Sequence, residues 1–405
     1  MKNSILIGVL TIVIAGLCSD CSLSSGDGQP RTDSLTWPDI DLLADYPETD
    51  IYLQDIGTVD YIPLELTDSS LLGNPRIIMT ERYIITSNSA DNVIVFNHDG
   101  SYYHSFNKVG QAPFEYTSID QLAVDPLSHT IYVIDKLMFR VQMYDLCGNC
   151  IGARKLPANL FQDIFLLDKD MLLGVDRKDV SIEDAGYPKQ VNKEPFFILD
   201  CSAGNDSIYP LHYRLENPVS DLYLSSSGDT SFGISQWIFP ISRIGDYVFV
   251  SEALEDTIYS IHKDARTPVV TKHNTSKNKI PILTAIDGIN SRFLFINSAE
   301  KLTASNNLGT PDAQLFAYDN DSPGWKKVRL INRDIDDLTK QATDPRHRIS
   351  ASNHTLLNGY MGQLLSAERI CDLRDSGVLK GELLKLSEGM THEDNPVLLL
   401  LRLNE

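Results

Sequence analysis

A block of strand, polar step, second strand ending in an aromatic, and turn recurs along this chain at close to 50 residues. It reads Tyr83-Ile-Ile-Thr, then Asn92-Val-Ile-Val-Phe96, then a turn at Gly100. It returns as Thr130-Ile-Tyr-Val-Ile-Asp135, then Arg140-Val-Gln-Met-Tyr144, with Gly148 in the turn; Phe96 to Tyr144 and Gly100 to Gly148 are both 48 residues apart. Self-similarity at this period, carried by strands rather than helices, is what β-propeller blades require. The expected fold is all-β, a six-bladed β-propeller.

Five blades can be laid along the sequence: Arg76–Phe106, Ile119–Leu156, Phe161–Asp200, Trp237–Ile261 and Ile282–Tyr318. Their strands are four to six residues long, rich in Val, Ile, Phe and Tyr, and bounded by Gly, Asp and Asn. The sixth blade must be shared between the ends. Val59–Glu65 and Pro396–Arg402 each read as a strand without a blade of its own, and pairing them would close the ring and remove its exposed edges. Leucines 379, 383, 384 and 386 fall at helical spacing within Ser376–Met390, which predicts a short helical insertion in the last blade.

The N-terminus looks exported. Met1-Lys2-Asn3 is a positive start, and the apolar run Ile5–Leu17 is too short to span a bilayer, for which about 20 residues are needed. Cys18 and Cys21 follow it, then a Ser/Gly/Asp/Pro-rich stretch, the layout of a bacterial lipoprotein start. Lipidation is expected at Cys21, or at Cys18, although Asp20 and Leu17 stand where a small residue is usual. The expected organisation is a signal peptide over 1–21, a polar tether and lead-in over 22–50, and the propeller over 51–405. Lipid-anchored placement at the outer membrane is expected, with free secretion or a periplasmic location as the alternative.

Formal charge is −20, a balance that repels phosphate backbones and argues against nucleic acid as a partner. Contact with the membrane is expected through the lipid alone, and the chain is expected to be monomeric.

Several motifs resemble those of the six-bladed β-propeller lipoproteins of Bacteroides-type bacteria, which are similar in shape to NHL-repeat propellers. They are Tyr61-Ile-Pro-Leu-Glu65 with Leu71-Leu-Gly-Asn74, Gly110-Gln-Ala-Pro-Phe-Glu-Tyr116, Asn332-Arg-Asp-Ile-Asp336 and Glu393-Asp-Asn-Pro-Val-Leu398. Gln111, Ala112 and Arg333 depart from the pattern. The resemblance covers about residues 50–405 and implies the fold and an envelope location; the family is largely without an assigned activity.

The chemistry-bearing motifs are sparse. Cys147-Gly-Asn-Cys150 straddles a hairpin turn, where no helix dipole would activate a thiol, so a local disulfide is expected rather than a redox or zinc centre. A long-range bridge between Cys201 and Cys371 stays open. Asp319-Asn-Asp-Ser-Pro-Gly324 starts like a calcium loop, but Leu330 stands where a bidentate Glu is needed, and a hairpin turn explains it better. Asp334, Asp336 and Asp337 read as caps of a short helix from Ile335 to Lys340. No nucleophile elbow, zinc-protease motif or phosphate loop occurs, and no cofactor is expected.

The expected role is therefore a binding module for a glycan, a peptide or a partner protein at the face where blade-linking loops converge. Gln111, Glu115, Tyr116, Trp237 and Arg243 are the candidate ligand contacts. The rival reading is a lyase or hydrolase at the channel mouth with Glu115 as acid or base, and a third is a scaffold subunit without a small-molecule site.

Overall fold

The computed structural model describes residues 36–73, 75–156, 164–175, 193–202, 207–216, 222–227, 230–235, 241–262, 265–273, 281–300, 313–336, 355–356 and 359–405, all within one compact unit, Leu35–Glu405. Six blades form a β-propeller. The first is Ile78–Met79, Tyr83–Ser87, Val93–Asn97 and Tyr102–Phe106, and the second Gln121–Val124, Ile131–Asp135, Arg140–Tyr144 and Cys150–Lys155. The third is Ile164–Asp168, Met171–Val175, Phe196–Asp200 and Ile208–Pro210. The fourth is Ile241–Ile244, Tyr247–Val250, Thr257–His262 and Ala265–His273, and the fifth Ile282–Ile289, Phe293–Glu300, Gln314–Asp319 and Ser322–Ile331. The third, fourth and fifth blades thus each carry an outer strand beyond the expected limits.

Why the strands are apolar on both faces follows from the seams. Side chains alternate along a strand, and both faces of a blade meet a neighbour. In the first blade, Ile84, Ile94 and Phe96 enter the seam with the sixth blade, where Leu398 and Leu400 lie. Ile85, Val93 and Val95 enter the seam with the second, beside Val124, Ile131 and Val133. Six buried apolar clusters result, one for each seam of the ring.

The ring closes as the sequence predicts. Gly57–Pro63 pairs antiparallel with Val397–Leu403, Tyr61 opposite Leu399, and Met361–Leu365 completes this last blade. Closure is reinforced by polar side chains. Buried Asn395 accepts from the Leu72 N–H (2.9 Å) and donates to the carbonyls of Glu65 (3.0 Å) and Ser70 (2.7 Å). The Tyr61 hydroxyl donates to Asp334 (2.9 Å) and accepts from the Asn332 amide (2.7 Å). The terminal motifs singled out in the sequence and the Asn332 loop therefore bind one another across the closure.

Three expectations change. The lead-in is not all tether: Ile40–Asp41 pairs with Ala265–His273 and Glu48–Tyr52 with Ser322–Ile331, and Trp37 is buried against the fourth and fifth blades. The ordered fold therefore begins well before residue 51. The helical insertion is two helices, Ala367–Asp375 and Gly381–Ser387, with Ser376–Lys380 as the turn between them. The Ser366 hydroxyl caps the first, and Gly377 and Gly381, both at positive φ, break the helix where one continuous segment is expected. Ile335 is no helix start. It bridges to Leu379, while Asp336 pairs with Lys380 at 2.6 Å; Asp337 lies outside the described residues.

The channel is not open throughout. Thr355–Leu356 pairs in parallel with Ile78–Met79 of the first blade and with Ile244 of the fourth. These blades face each other in a ring of six, so two strand spacings of about 5 Å each set the gap between their inner strands, and main chain stands in it.

Candidate functional site

The linker from the first blade to the second runs between Phe106 and Gln121 and is locked on every side. Its main chain doubles back, Gly110 N–H to the Tyr116 carbonyl (2.9 Å) and Tyr116 N–H to the Lys108 carbonyl (3.0 Å). The Glu115 carboxylate accepts from the Ala112 N–H (2.9 Å), and a side chain at Gly110 would collide with it. Arg140, Gln142 and Tyr144 share one face of their strand. Arg140 donates to the Glu115 carbonyl, Gln142 to those of Pro113 (3.0 Å) and Glu115 (2.9 Å), and Tyr144 to that of Phe114 (2.8 Å). Three consecutive loop carbonyls are thus held by side chains two residues apart.

Tyr116 pins the other side. Its ring is fully buried, edge-on to Tyr144 at 6.0 Å, and its hydroxyl donates to the Asp91 carbonyl (2.8 Å) and accepts from the Lys108 N–H (3.1 Å). Burial pushes this phenol up to about 12. Asp91 sits at φ 57° in the turn of the first blade, and its carboxylate also accepts the Ile119 N–H (2.9 Å).

The second blade's turn lies beside this linker. Buried Asp135 accepts from Thr117 N–H (2.7 Å), the Thr117 hydroxyl (2.9 Å) and Met138 N–H (3.0 Å), while Lys136 N–H donates to Asp120 (2.7 Å). On this rigid base the tip is apolar and open: Leu137 is 72%, Met138 47% and Phe139 41% exposed, and Phe114 on the linker is 67% exposed. Phe139 has φ 49°. The left-handed region disfavours a residue with a bulky side chain and is usually given to Gly, Asn or Asp. Lys136 opens the turn, its carbonyl accepting the Phe139 N–H (3.4 Å).

The five sequence-predicted contacts are not brought together. Gln111 is exposed on the linker; Glu115 is half-buried and spent on the loop's own backbone. Tyr116 presents nothing to solvent and acts as a joint between blades, a correction to its expected role as a ligand contact. Arg243 is also buried, on the inner strand of the fourth blade. It donates to the carbonyls of Leu166 and Gly245 (3.2 Å), and desolvation lowers its pKa. It ties two inner strands together instead of facing a ligand. Trp237 lies outside the described residues, as do Cys18 and Cys21. What sequence reasoning missed is the apolar tip itself. The available signal was the repeat: Leu137-Met138-Phe139 stands where the first blade has Ser89-Ala90-Asp91.

Other constellations resolve into structure. Cys147 and Cys150 are free thiols, against the expected turn disulfide. Asp145 already clamps that turn, accepting from the N–H groups of Cys147 and Asn149 (both 2.9 Å), and Cys150 packs inward at the seam while Cys147 stays exposed. Cys201 and Cys371 are both buried and are not joined in a disulfide. Arg292 pairs with both Asp319 (2.9 Å) and Asp321 (3.0 Å), consistent with a braced turn. Fully buried Lys272 donates to the Glu252 carbonyl (2.6 Å) and to Thr284 (3.1 Å), tying the fourth blade to the fifth. Among the described residues no group of His, Cys, Asp and Glu could hold a metal ion, and no helix is long and apolar enough to cross a membrane.

A family model described as a domain of unknown function (DUF4934) matches residues 38–402. No curated protein matches the sequence. Among solved structures, a candidate exported protein of Bacteroides fragilis superposes with a TM-score of 0.62 at 17% identity, covering 92% of this chain and 99% of that one. A member of the DUF4221 family from Bacteroides vulgatus gives a TM-score of 0.44 at 9% identity, covering 68% of this chain and 87% of the other. A streptogramin B lyase gives 0.38 at 12% identity over 86% and 99%. At 17% identity the likeness to the Bacteroides fragilis protein speaks for the fold alone.

Proposed function

Since the chain belongs to the DUF4934 family, a description without an activity, we propose its function from its own surface: an exported, lipid-tethered propeller that acts as a binding module. The recognition surface is the linker 107–116 together with the turn 136–140. The observation that carries this reading is a rigid base presenting exposed apolar side chains, one of them in a backbone conformation that costs stability. Residues held at such cost cluster where a surface is used, and contiguous exposed apolar side chains on a soluble domain mark interaction sites. Strand Thr355–Leu356 in the channel and the commitment of Glu115 to its own loop weigh against a hydrolase or lyase built on that residue. An apolar counter-surface suits Phe114, Leu137, Met138 and Phe139 better than a glycan, which offers mainly hydroxyls.

A photo-crosslinking amino acid at Met138, compared in cells with one at the repeat-equivalent Ala90, tests the reading. Adducts at 138 and none at 90 are expected; equal labelling, or none at 138, would remove the surface from consideration. Tethering is tested separately by fractionating Cys18→Ser and Cys21→Ser chains, which should leave the membrane fraction if acyl groups hold the protein there.

A further inference from the structure

We propose that the outer edge of the fourth and fifth blades is a docking groove for an extended acidic segment of a partner protein, which the chain's own lead-in, residues 37–52, occupies as a displaceable strap. The groove lies apart from the recognition surface above, so failure of one leaves the other untouched. Its occupant displays what it takes. Residues 37–52 contain Asp39, Asp41, Asp45, Glu48 and Asp50 and no basic residue. They lie as added strands along the blade edges, in parallel: Ile40 and Asp41 beside Lys272 and His273, then Glu48–Tyr52 beside residues 327–331. Asp39 meets His273 at 3.0 Å, Asp45 meets Lys327 at 4.0 Å, and Asp50 accepts two bonds from Arg329, at 2.8 and 2.7 Å. Trp37, Ile40 and Leu42 are buried against the two blades, with Trp37 edge-on to Tyr318 and Tyr46 edge-on to Phe316. Main-chain pairing for affinity, with side-chain contacts for choice, is how sheet edges take up peptides.

Two observations mark the strap as a cover instead of a part of the ring. The first three blades end at their own outer strands, Tyr102–Phe106, Cys150–Lys155 and Ile208–Pro210, with no fifth strand among the described residues. A blade here is therefore complete without one. The strap's charges are also open to water: Asp39 and His273 are 57% and 53% exposed, Asp50 and Arg329 36% and 49%. Salt and competing carboxylates reach both pairs, so each is individually weak. The acidic choice follows from the edge itself. Lys326, Lys327 and Arg329 form a local cationic strip on a chain of net charge −20, which attracts what the rest of the surface repels.

The probe is a fluorescein-labelled peptide of residues 36–52, added to the purified full chain and followed by anisotropy. In Trp37→Ala/Asp50→Ala the strap is weakened and the groove left whole. This variant should bind the peptide at least about tenfold more tightly than the parent, whose strap competes from its own chain. Adding Lys327→Glu/Arg329→Glu should remove that binding. A peptide carrying Asp39→Asn, Asp45→Asn and Asp50→Asn should bind the weakened chain at least about tenfold less well. No binding by the weakened chain, equal binding by parent and weakened chain, or equal binding of the two peptides overturns the proposal. So does a weakened chain without a cooperative melt, which would make the strap part of the fold. Parent chains that pair with each other, and lose that pairing on Lys327→Glu/Arg329→Glu, would assign the groove to a second copy of the strap and not to a partner protein.

Discussion

The turns of the first two blades occupy the same place in the repeat, 48 residues apart, and share a backbone: Asp91 and Phe139 both lie at positive φ, 57° and 49°. Their chemistry is opposite. In the first, the carbonyl and carboxylate of Asp91 receive Tyr116 and Ile119, so the turn is a joint that fastens the linker. In the second, the carbonyl of Phe139 receives Leu156 N–H at 2.7 Å, but its side chain fastens nothing comparable and stands half open. A residue type suited to the left-handed conformation does structural work at one site. At the other an unsuited residue is kept on the surface. The contrast separates a turn that holds the ring from one free to meet something outside it.

The largest expected effect tests the joint. Tyr116→Ala should cost about 3–5 kcal/mol in denaturant unfolding, the usual loss for deleting a buried aromatic. A loss under about 1 kcal/mol would mean that the phenol is not the pin it looks to be. Next, Asp91→Ala should cost about 1–3 kcal/mol, through an unpaired Ile119 N–H and a left-handed alanine.

Alkaline titration sharpens the same point. The Tyr116 phenol, raised by burial to about 12 from 10.0, stabilises the fold fully below pH 10 and loses that contribution as pH climbs toward 12. Tyr116→Phe should lack this step, so the stability gap between the two proteins should narrow over that window. A constant gap would show that the phenol ionises equally well in the folded chain.

The second turn should respond with the opposite sign. Phe139→Asn is expected to raise stability by about 0.5–1 kcal/mol, because Asn tolerates the left-handed region better. Destabilisation would show that the Phe139 ring packs usefully in the fold. The smallest effect belongs to Leu137→Ser and Met138→Ser, within about 0.5 kcal/mol by thermal melting, as for open surface positions. Losses well beyond that would make the tip part of the core, and its exposure would no longer argue for a partner.

The repeat, the order of five blades and the partners in ring closure could all be read from the residues. Strand character is set by short apolar runs and turn residues, and the N- and C-terminal strands declare themselves by lacking blades. The candidate contacts were less legible. Gln111, Glu115 and Tyr116 look alike in sequence, three polar or amphipathic side chains in one loop. Only the approach of Asp91 and of the strand carrying Arg140, Gln142 and Tyr144 decides that Tyr116 is buried and Glu115 engaged, leaving Gln111 and Phe114 open. The free thiols at 147 and 150 follow the same logic, since Asp145 had already closed their turn.

By itself the sequence determined the unit of this fold and how often it recurs, because alternation along a strand is a local property that survives any arrangement of neighbours. Tertiary structure decided what each loop side chain does. It also set contacts that no local pattern encodes: Asn395 against Glu65 and Ser70, Tyr61 against Asn332 and Asp334, and Thr355–Leu356 between opposite blades. These join residues far apart in the chain, and whether a polar side chain is a buried tie or an open contact depends on which distant backbone groups arrive beside it when the ring closes.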